Sequence, residues 1–231
     1  MRLVRRIDFA SDDEAEDDEP KSWLWYERPL GGDTDGSRSS QKSAVFLTDH
    51  VADVCAAADR IVRNLPLPTD IANAVRLAAK WHDLGKARPA FQRLLGNLKC
   101  AEPLLAKSGP NAGRLKLSER YRHEFGSVDD ILDETQSYLA EFQTLSPEMQ
   151  DLVLHLIAAH HGRARPHFPA DEATHPANGR NAPRIAAEVP RRFARLQRRY
   201  GRWGLAYLES LLRAADYAAS ANPTTNTGGV V

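Results

Sequence analysis

The sequence predicts an all-α helical bundle, and two observations support this prediction. Apolar residues recur at three- and four-residue steps in several segments, as the buried face of a helix requires. No segment shows the alternation of apolar and polar residues that is typical of a half-buried strand. The 231 residues are enough to bury one sizeable core, so we expect one compact domain with tails.

The composition divides the chain into a central domain and two tails. Residues 1–41 contain an acidic run at 12–19 and then Gly- and Ser-rich stretches, so we expect an acidic, flexible N-terminal tail and linker. The helical signal occupies residues 42–220. Residues 221–231 are rich in Thr, Gly and Asn, and we expect a flexible C-terminal tail.

The first predicted helices follow apolar stripes. One stripe begins near Leu47 and ends before Pro66. Thr69 or Asp70 can cap a second helix, which ends near Gly85. A short helix over residues 89–95 and an irregular connection over 96–120 complete this half.

The second half contains four further predicted helices and one long loop. One helix spans roughly residues 123–142, and Ser146 caps another that Gly162 stops. Residues 163–185 carry four prolines and form an irregular Pro- and Arg-rich loop, whose length is often functional. The last helices cover about residues 187–200 and 202–220.

Composition also bounds the cellular setting. No run of about 18 apolar residues exists, so we expect no membrane span. The N-terminus lacks the apolar region of a signal peptide. The two cysteines have no C-x-x-C spacing, which favours a reducing, cytoplasmic environment.

The charge is balanced overall but unevenly distributed. A formal net charge of zero argues against a protein that coats nucleic acid. Residues 163–202, however, carry ten arginines against three acidic residues, which suits a polyanionic substrate. A solvated, Arg-rich helix face is the alternative interpretation. Arg163 and Arg165 are the preferred candidates for bidentate contacts to phosphate.

Seven histidines and aspartates fall at inward-facing positions or at the ends of the predicted helices. They are His50, His82, Asp83, His123, His160, His161 and Asp216. One buried imidazole is unremarkable, but an uncompensated buried carboxylate costs several kcal/mol. Metal ions remove that cost, and helical bundles build metal sites from side chains on facing helices.

The number of ligands predicts two ions. Four residues are enough for one ion with open water positions, namely His50, His82, Asp83 and Asp216. The three remaining imidazoles are themselves a metal triad, and Asp83 can use both oxygens to bridge the ions. Paired ions polarise a phosphoryl oxygen and activate a water, so the pattern predicts phosphodiester hydrolysis.

Five short motifs occur together and in a fixed order. They are Thr48-Asp49-His50, Trp81-His82-Asp83-Leu84-Gly85-Lys86, Arg122-His123-Glu124, Ala159-His160-His161-Gly162 and Arg213-Ala214-Ala215-Asp216. This set resembles the HD nuclease domain of the type I CRISPR-associated helicase-nuclease. Residues 162–166 and 200–207, which flank these motifs, are similar to subtype U or G, and the resemblance covers about residues 42–220.

The resemblance implies an HD-domain bundle and a metal-dependent nuclease that degrades displaced single-stranded DNA. Its partners would be a helicase domain or subunit and a guide-RNA surveillance complex. By match to the motifs, one metal is held by His50, His82, Asp83 and Asp216, and the other by Asp83, His123, His160 and His161. Asp83 and Lys86 would be the catalytic residues, with Lys86 contacting a substrate phosphate.

The sequence leaves more than one metal and more than one function open. The excess of imidazole favours two divalent ions of manganese, iron, nickel or cobalt, with magnesium and zinc as alternatives. The chain lacks a G-x-x-x-x-G-K-[ST] loop, so ATP-driven unwinding must come from another chain or from the rest of a longer protein. An HD phosphohydrolase for a nucleotide or cyclic dinucleotide is one alternative function. A non-catalytic docking module is the other.

Overall fold

The computed structural model describes residues 2–8, 22–27, 43–109, 121–169 and 182–224. Its contacts divide the chain into two units, Met1–Thr34 and Asp35–Val231. In the first unit, strand β1 (Arg2–Asp8) pairs antiparallel with strand β2 (Ser22–Glu27). The sequence pattern predicted no strand in this segment, and that prediction is wrong. Neither strand shows a regular alternation of apolar and polar residues, but β2 is rich in aromatic residues, which favour strands.

The second unit is helical, which confirms the all-α prediction. Its helices are α1 (Leu47–Arg63), α2 (Thr69–Trp81), α3 (Pro89–Leu94), α4 (His123–Leu132), α5 (Tyr138–Gln143), α6 (Pro147–Ala159) and α7 (Ala182–Ala221). A short 3₁₀ helix over Leu84–Ala87 follows α2. Among the described helices, none has the length and apolarity needed to cross a membrane.

A second small sheet joins the residues before α1 to the residues after α3. Strand β3 (Val45–Phe46) pairs antiparallel with strand β4 (Leu105–Lys107). Strand β4 lies in the stretch predicted as an irregular connection. The sequence did not predict it because three residues are too few to show an alternating pattern. The rest of that connection, residues 110–120, lies outside the described residues.

The core is formed where α1, α2, α6 and α7 pack together. Helix α7 contacts α1, α2 and α6, and α6 also contacts α2 and α4. Val54, Val75, Leu152, Leu156 and Leu212 are almost completely buried between these helices. Burying each such side chain contributes about 1.5–3 kcal/mol, so this core holds the helix ends that carry the site in fixed positions.

The helix boundaries show where local sequence signals succeed. The Ser146 hydroxyl accepts a hydrogen bond from the Met149 amide, which confirms the predicted cap of α6. The cap predicted for α2 at Thr69 or Asp70 is wrong, since the helix follows Pro68 without a side-chain cap. The two predicted C-terminal helices meet at Gly201, whose φ of 70° interrupts α7.

The single helix predicted over residues 123–142 is instead two helices, α4 and α5. The Asp133 carboxylate accepts hydrogen bonds from the amide and the hydroxyl of Thr135, at 2.9 and 2.8 Å. This local turn offers the backbone an alternative to the helix, and aspartate often forms it. The break orients α4 independently of α5 and leaves His123 at the start of α4.

Candidate metal centre

The structure brings all seven candidate ligands to one end of the bundle. The elements that carry them are α1 for His50, the end of α2 for His82 and Asp83, the start of α4 for His123, the end of α6 for His160 and His161, and the C-terminal half of α7 for Asp216. Most of these side chains sit at helix ends, where the backbone leaves the helix axis. Five separate elements therefore converge on one buried polar cluster.

Asp83 lies at the middle of this cluster. Its Oδ2 is 3.3 Å from Nε2 of His50 and 3.3 Å from Nε2 of His82. Its Oδ1 faces the other way, 3.2 Å from Nε2 of His123 and 3.9 Å from Nε2 of His160. Each carboxylate oxygen thus faces a different set of imidazoles.

The ligand atoms form two groups on either side of Asp83. Nitrogen and oxygen atoms of His50, His82 and Asp83 lie within 4.8 Å of one another, and Oδ1 of Asp216 is 3.3 Å from Nε2 of His50. Ligand atoms of His123, His160 and His161 also lie within 4.8 Å of one another. Both spacings allow the atoms of a group to bind a single ion.

Backbone carbonyls fix the orientation of two imidazoles. Nδ1 of His82 donates to the carbonyl of Ala79 at 2.9 Å, and Nδ1 of His160 donates to the carbonyl of Ile157 at 2.6 Å. Because a carbonyl only accepts, Nδ1 carries the proton and Nε2 keeps its lone pair toward the cluster. Neither Nε2 atom has a hydrogen-bond partner among the described residues. Metal-ligating histidines are commonly held in this way.

Burial and the neighbouring polar groups together shift the pKa values of the side chains in the cluster. Burial alone raises the pKa of Asp83, but its interactions with His82 and the Lys86 ammonium outweigh burial and hold that pKa well below its usual range. Burial, reinforced by the neighbouring His161, holds the pKa of His160 well below its usual range. The bonds of His50 to Asp216 and Asp83 outweigh its burial and raise its pKa. The carboxylates are thus ionised and His160 is neutral, as metal ligands must be.

These observations fit bound divalent cations. The cluster combines ionised carboxylates with the Nε2 lone pairs of His82 and His160, neither of which has a hydrogen-bond partner among the described residues. Such buried polar atoms cost free energy unless a partner is supplied. Five imidazoles and two carboxylates are a suitable ligand set for first-row transition metals. The residues present therefore fit the ions that the sequence predicted.

The turn that follows His82 and Asp83 is held against α4 by residues that the sequence pattern did not reveal. The Ser127 hydroxyl accepts from the Gly85 amide at 2.9 Å and donates to the His82 carbonyl at 2.7 Å. The Tyr121 hydroxyl donates to the Gly85 carbonyl at 2.9 Å. A Cβ on Gly85 would lie 2.1 Å from the His123 carbonyl oxygen, so only glycine fits here. A serine on the apolar face of α4 is the one sequence signal for this contact.

Lys86 and the two loop arginines occupy different environments. Nζ of Lys86 is buried and lies 2.9 Å from Oδ2 of Asp83, directly beside the cluster. Arg163 is half-buried, whereas Arg165 is exposed and its Nε pairs with Oε2 of Glu209 at 3.2 Å. Glu209 also binds His155 at 2.8 Å. A phosphate would have to compete with Glu209 for Arg165.

Several arginines of the basic stretch already have acidic partners within the bundle. Arg195 binds both Asp151 and Glu188, with N–O distances of 2.7 and 2.6 Å. The buried Arg192 lies 3.4 Å from Asp151. Arg180 lies outside the described residues. Part of the arginine density therefore stabilises the bundle instead of facing a substrate.

The family model for the Cas3 HD domain matches residues 34–225 of the chain. This range covers most of the sequence and includes all seven residues of the cluster. It also includes Lys86 and both loop arginines, Arg163 and Arg165. No curated protein and no solved structure gives a significant match to the chain.

Proposed function

The chain belongs to the Cas3 HD-domain family of CRISPR-associated nucleases, and we propose that it hydrolyses phosphodiester bonds of single-stranded DNA at a two-metal centre. The position of Asp83 is the observation that carries this proposal. Each of its oxygens faces a separate group of imidazoles, at 3.2–3.3 Å for the nearest nitrogens. One carboxylate between two such groups is the arrangement needed to share it between two ions.

In this proposal each ion takes its ligands from one side of Asp83. One ion is held by His50, His82, Asp83 and Asp216, and the other by Asp83, His123, His160 and His161. When bound, such ions polarise a phosphoryl oxygen and activate the attacking water. The backbone bonds to His82 and His160 keep their Nε2 atoms aimed at the cluster, so little reorganisation is needed on binding.

Lys86 supports the proposed reaction from within the cluster. Its ammonium group stabilises the ionised form of Asp83 and adds positive charge where a phosphate would approach. We propose that Lys86 contacts a substrate phosphate and that Arg163 and Arg165 contribute outer contacts. Arg165 would exchange its bond to Glu209 for one to the DNA backbone.

The ligand chemistry also supports a choice of metal. Five imidazoles against two carboxylates favour manganese, iron, nickel or cobalt over magnesium, which prefers oxygen ligands. Reconstituting metal-free protein with each ion should give higher cleavage rates with these metals than with magnesium. Highest activity with magnesium would contradict the ligand assignment.

The family also implies work alongside a CRISPR helicase on a DNA substrate. The chain itself has no G-x-x-x-x-G-K-[ST] phosphate loop. We therefore propose that a helicase domain or subunit, engaged with a guide-RNA surveillance complex, delivers the single strand that this domain cuts. This division of labour requires the domain to act on DNA that is already unwound.

Circular single-stranded DNA offers a direct test, because it has no ends for an exonuclease. Metal-loaded protein should linearise and then fragment the circle, while Asp83→Ala should leave it intact with its helical circular-dichroism signal preserved. Mononucleotides and a cyclic dinucleotide are assayed in parallel. Hydrolysis of these without DNA cleavage would indicate a small-molecule phosphohydrolase. Loss of helical structure on chelation, with no activity on any substrate, would indicate a docking module.

A further inference from the structure

The C-terminal half of α7 presents an exposed aromatic stripe, formed by Trp203, Tyr207 and Tyr217. The exposed fractions are 89% for Trp203, 44% for Tyr207 and 69% for Tyr217. These positions are four and ten residues apart, so they lie on one side of the helix and span about 21 Å along its axis. Large aromatic side chains are usually buried, and a row of three on one helix face indicates a binding surface.

The charge around the stripe is positive. Arg202 and Arg213 are exposed on the same part of α7 and have no ion-pair partner among the described residues. The acidic residues between positions 201 and 224 are Glu209, which binds His155 and Arg165, and Asp216, which faces His50. The exposed face therefore combines aromatic rings with unneutralised guanidinium groups.

One end of the stripe lies next to the metal centre along α7. Tyr217 directly follows Asp216, whose side chain keeps 20% of its surface exposed. The side chains of Asp83, His123 and His160 have no exposed surface. His161 is also partly exposed. The centre therefore has partly open sides at His161 and at Asp216, and the side at Asp216 is the one where the stripe ends.

We propose that this aromatic stripe binds the bases of single-stranded DNA and guides the strand to the metal centre. The proposal rests on the proposed nuclease function and names the surface that holds its substrate. Bases stack on exposed aromatic rings with little sequence preference, and arginines beside them bind the phosphates. A protein partner would not require the unneutralised arginines, so the charge favours a nucleic acid.

Binding of a fluorescently labelled oligothymidine, measured by anisotropy in EDTA, separates binding from cleavage. Trp203→Ala should raise the Kd about tenfold, and the triple variant that adds Tyr207→Ala and Tyr217→Ala should raise it further. Trp203→Phe should restore most of the affinity, because it keeps an aromatic face. Leu98→Ala is the matched control, since Leu98 is another exposed apolar residue, 63% accessible, outside α7.

A second assay distinguishes a binding surface from a structural one. With metal restored, hydrolysis of a small aryl phosphodiester should be unchanged by Trp203→Ala, while the KM for circular DNA rises. Equal oligothymidine Kd values for wild type and the triple variant would overturn the proposal and favour a protein-docking role. Parallel loss of small-ester hydrolysis would also contradict it. If wild type binds oligothymidine through the stripe but cleaves no DNA, the nuclease proposal fails, while the stripe is still supported as a surface that binds single-stranded DNA.

Discussion

The two halves of α7, on either side of Gly201, differ in how their arginines are paired. Before Gly201, Arg192, Arg195 and Arg199 pair with acidic residues, including Asp151 and Glu148 on α6. After Gly201, Arg202 and Arg213 have no ion-pair partner among the described residues. The arginines of the first half therefore fasten α7 to α6, while the second half carries Asp216 and presents these two arginines to solvent.

This difference shows that arginine density alone does not locate a substrate surface. The basic stretch contains ten arginines in the sequence, but only their partners in space distinguish structural from available charges. An arginine already bound to a carboxylate must lose that bond before it can bind phosphate. Substitutions in the first half should thus change stability, and those in the second half should change activity.

The largest effect should come from Asp216→Ala in the second half of α7. The variant loses a proposed ligand, so cleavage of circular DNA at limiting metal should fall by more than the roughly 100-fold typical of losing a ligand's supporting partner. Arg195→Ala in the first half is the matched control and should cleave at the wild-type rate per folded molecule. Similar losses in the two variants would remove the distinction between the halves.

Arg192→Ala should produce the largest loss of stability in the first half. Arg192 is buried against Asp151, but Asp151 keeps its bond to Arg195. We expect a loss of about 2 kcal/mol in the free energy of unfolding, below the roughly 3–5 kcal/mol for a pair left wholly uncompensated. Urea unfolding of metal-free protein measures this loss, and an unchanged midpoint would contradict a structural role.

Ser220→Ala tests how the second half holds Asp216. The Ser220 hydroxyl donates to Oδ1 of Asp216 at 3.2 Å and accepts from Nζ of Lys107. Without this link Asp216 loses its orientation, and metal affinity should fall about tenfold. Ser210→Ala is a suitable control, since within the described part of the chain Ser210 bonds to the Tyr207 carbonyl on its own helix. Metal titration that gives equal affinities for both variants would exclude this link.

The smallest effect concerns acid stability in the first half. Bonds from the Tyr200 hydroxyl and the Arg199 guanidinium lower the pKa of Glu148. A lowered carboxyl pKa contributes stability that is present above the unfolded value of about 4.3 and lost as pH falls through the folded value. Glu148→Gln should therefore make the unfolding free energy depend less steeply on pH below about pH 4.3. An unchanged slope would show that the bonds do not persist in solution.

The sequence predicted the ligand cluster better than its supports. His50, His160 and Asp216 fall on apolar stripes, so helical periodicity already predicted that their side chains face the interior. Tyr121 and Ser127 hold the turn at His82 and Gly85 by hydrogen bonds between residues 36 and 45 positions apart in the sequence. Helical periodicity cannot show contacts over such a separation. The break at Asp133 depends on one side-chain turn that competes with the helix. The arginine partners likewise depend on how α6 and α7 pack.

Counting bound metal tests the shared role of Asp83 most directly. Equilibrium dialysis against manganese, followed by elemental analysis, should give two ions per chain for wild type and one for Asp216→Ala. Asp83→Ala should lose both at the same free-metal concentration while keeping its helical content, because both groups depend on this carboxylate. One ion per wild-type chain, or two retained by Asp83→Ala, would contradict a centre in which Asp83 joins two metals.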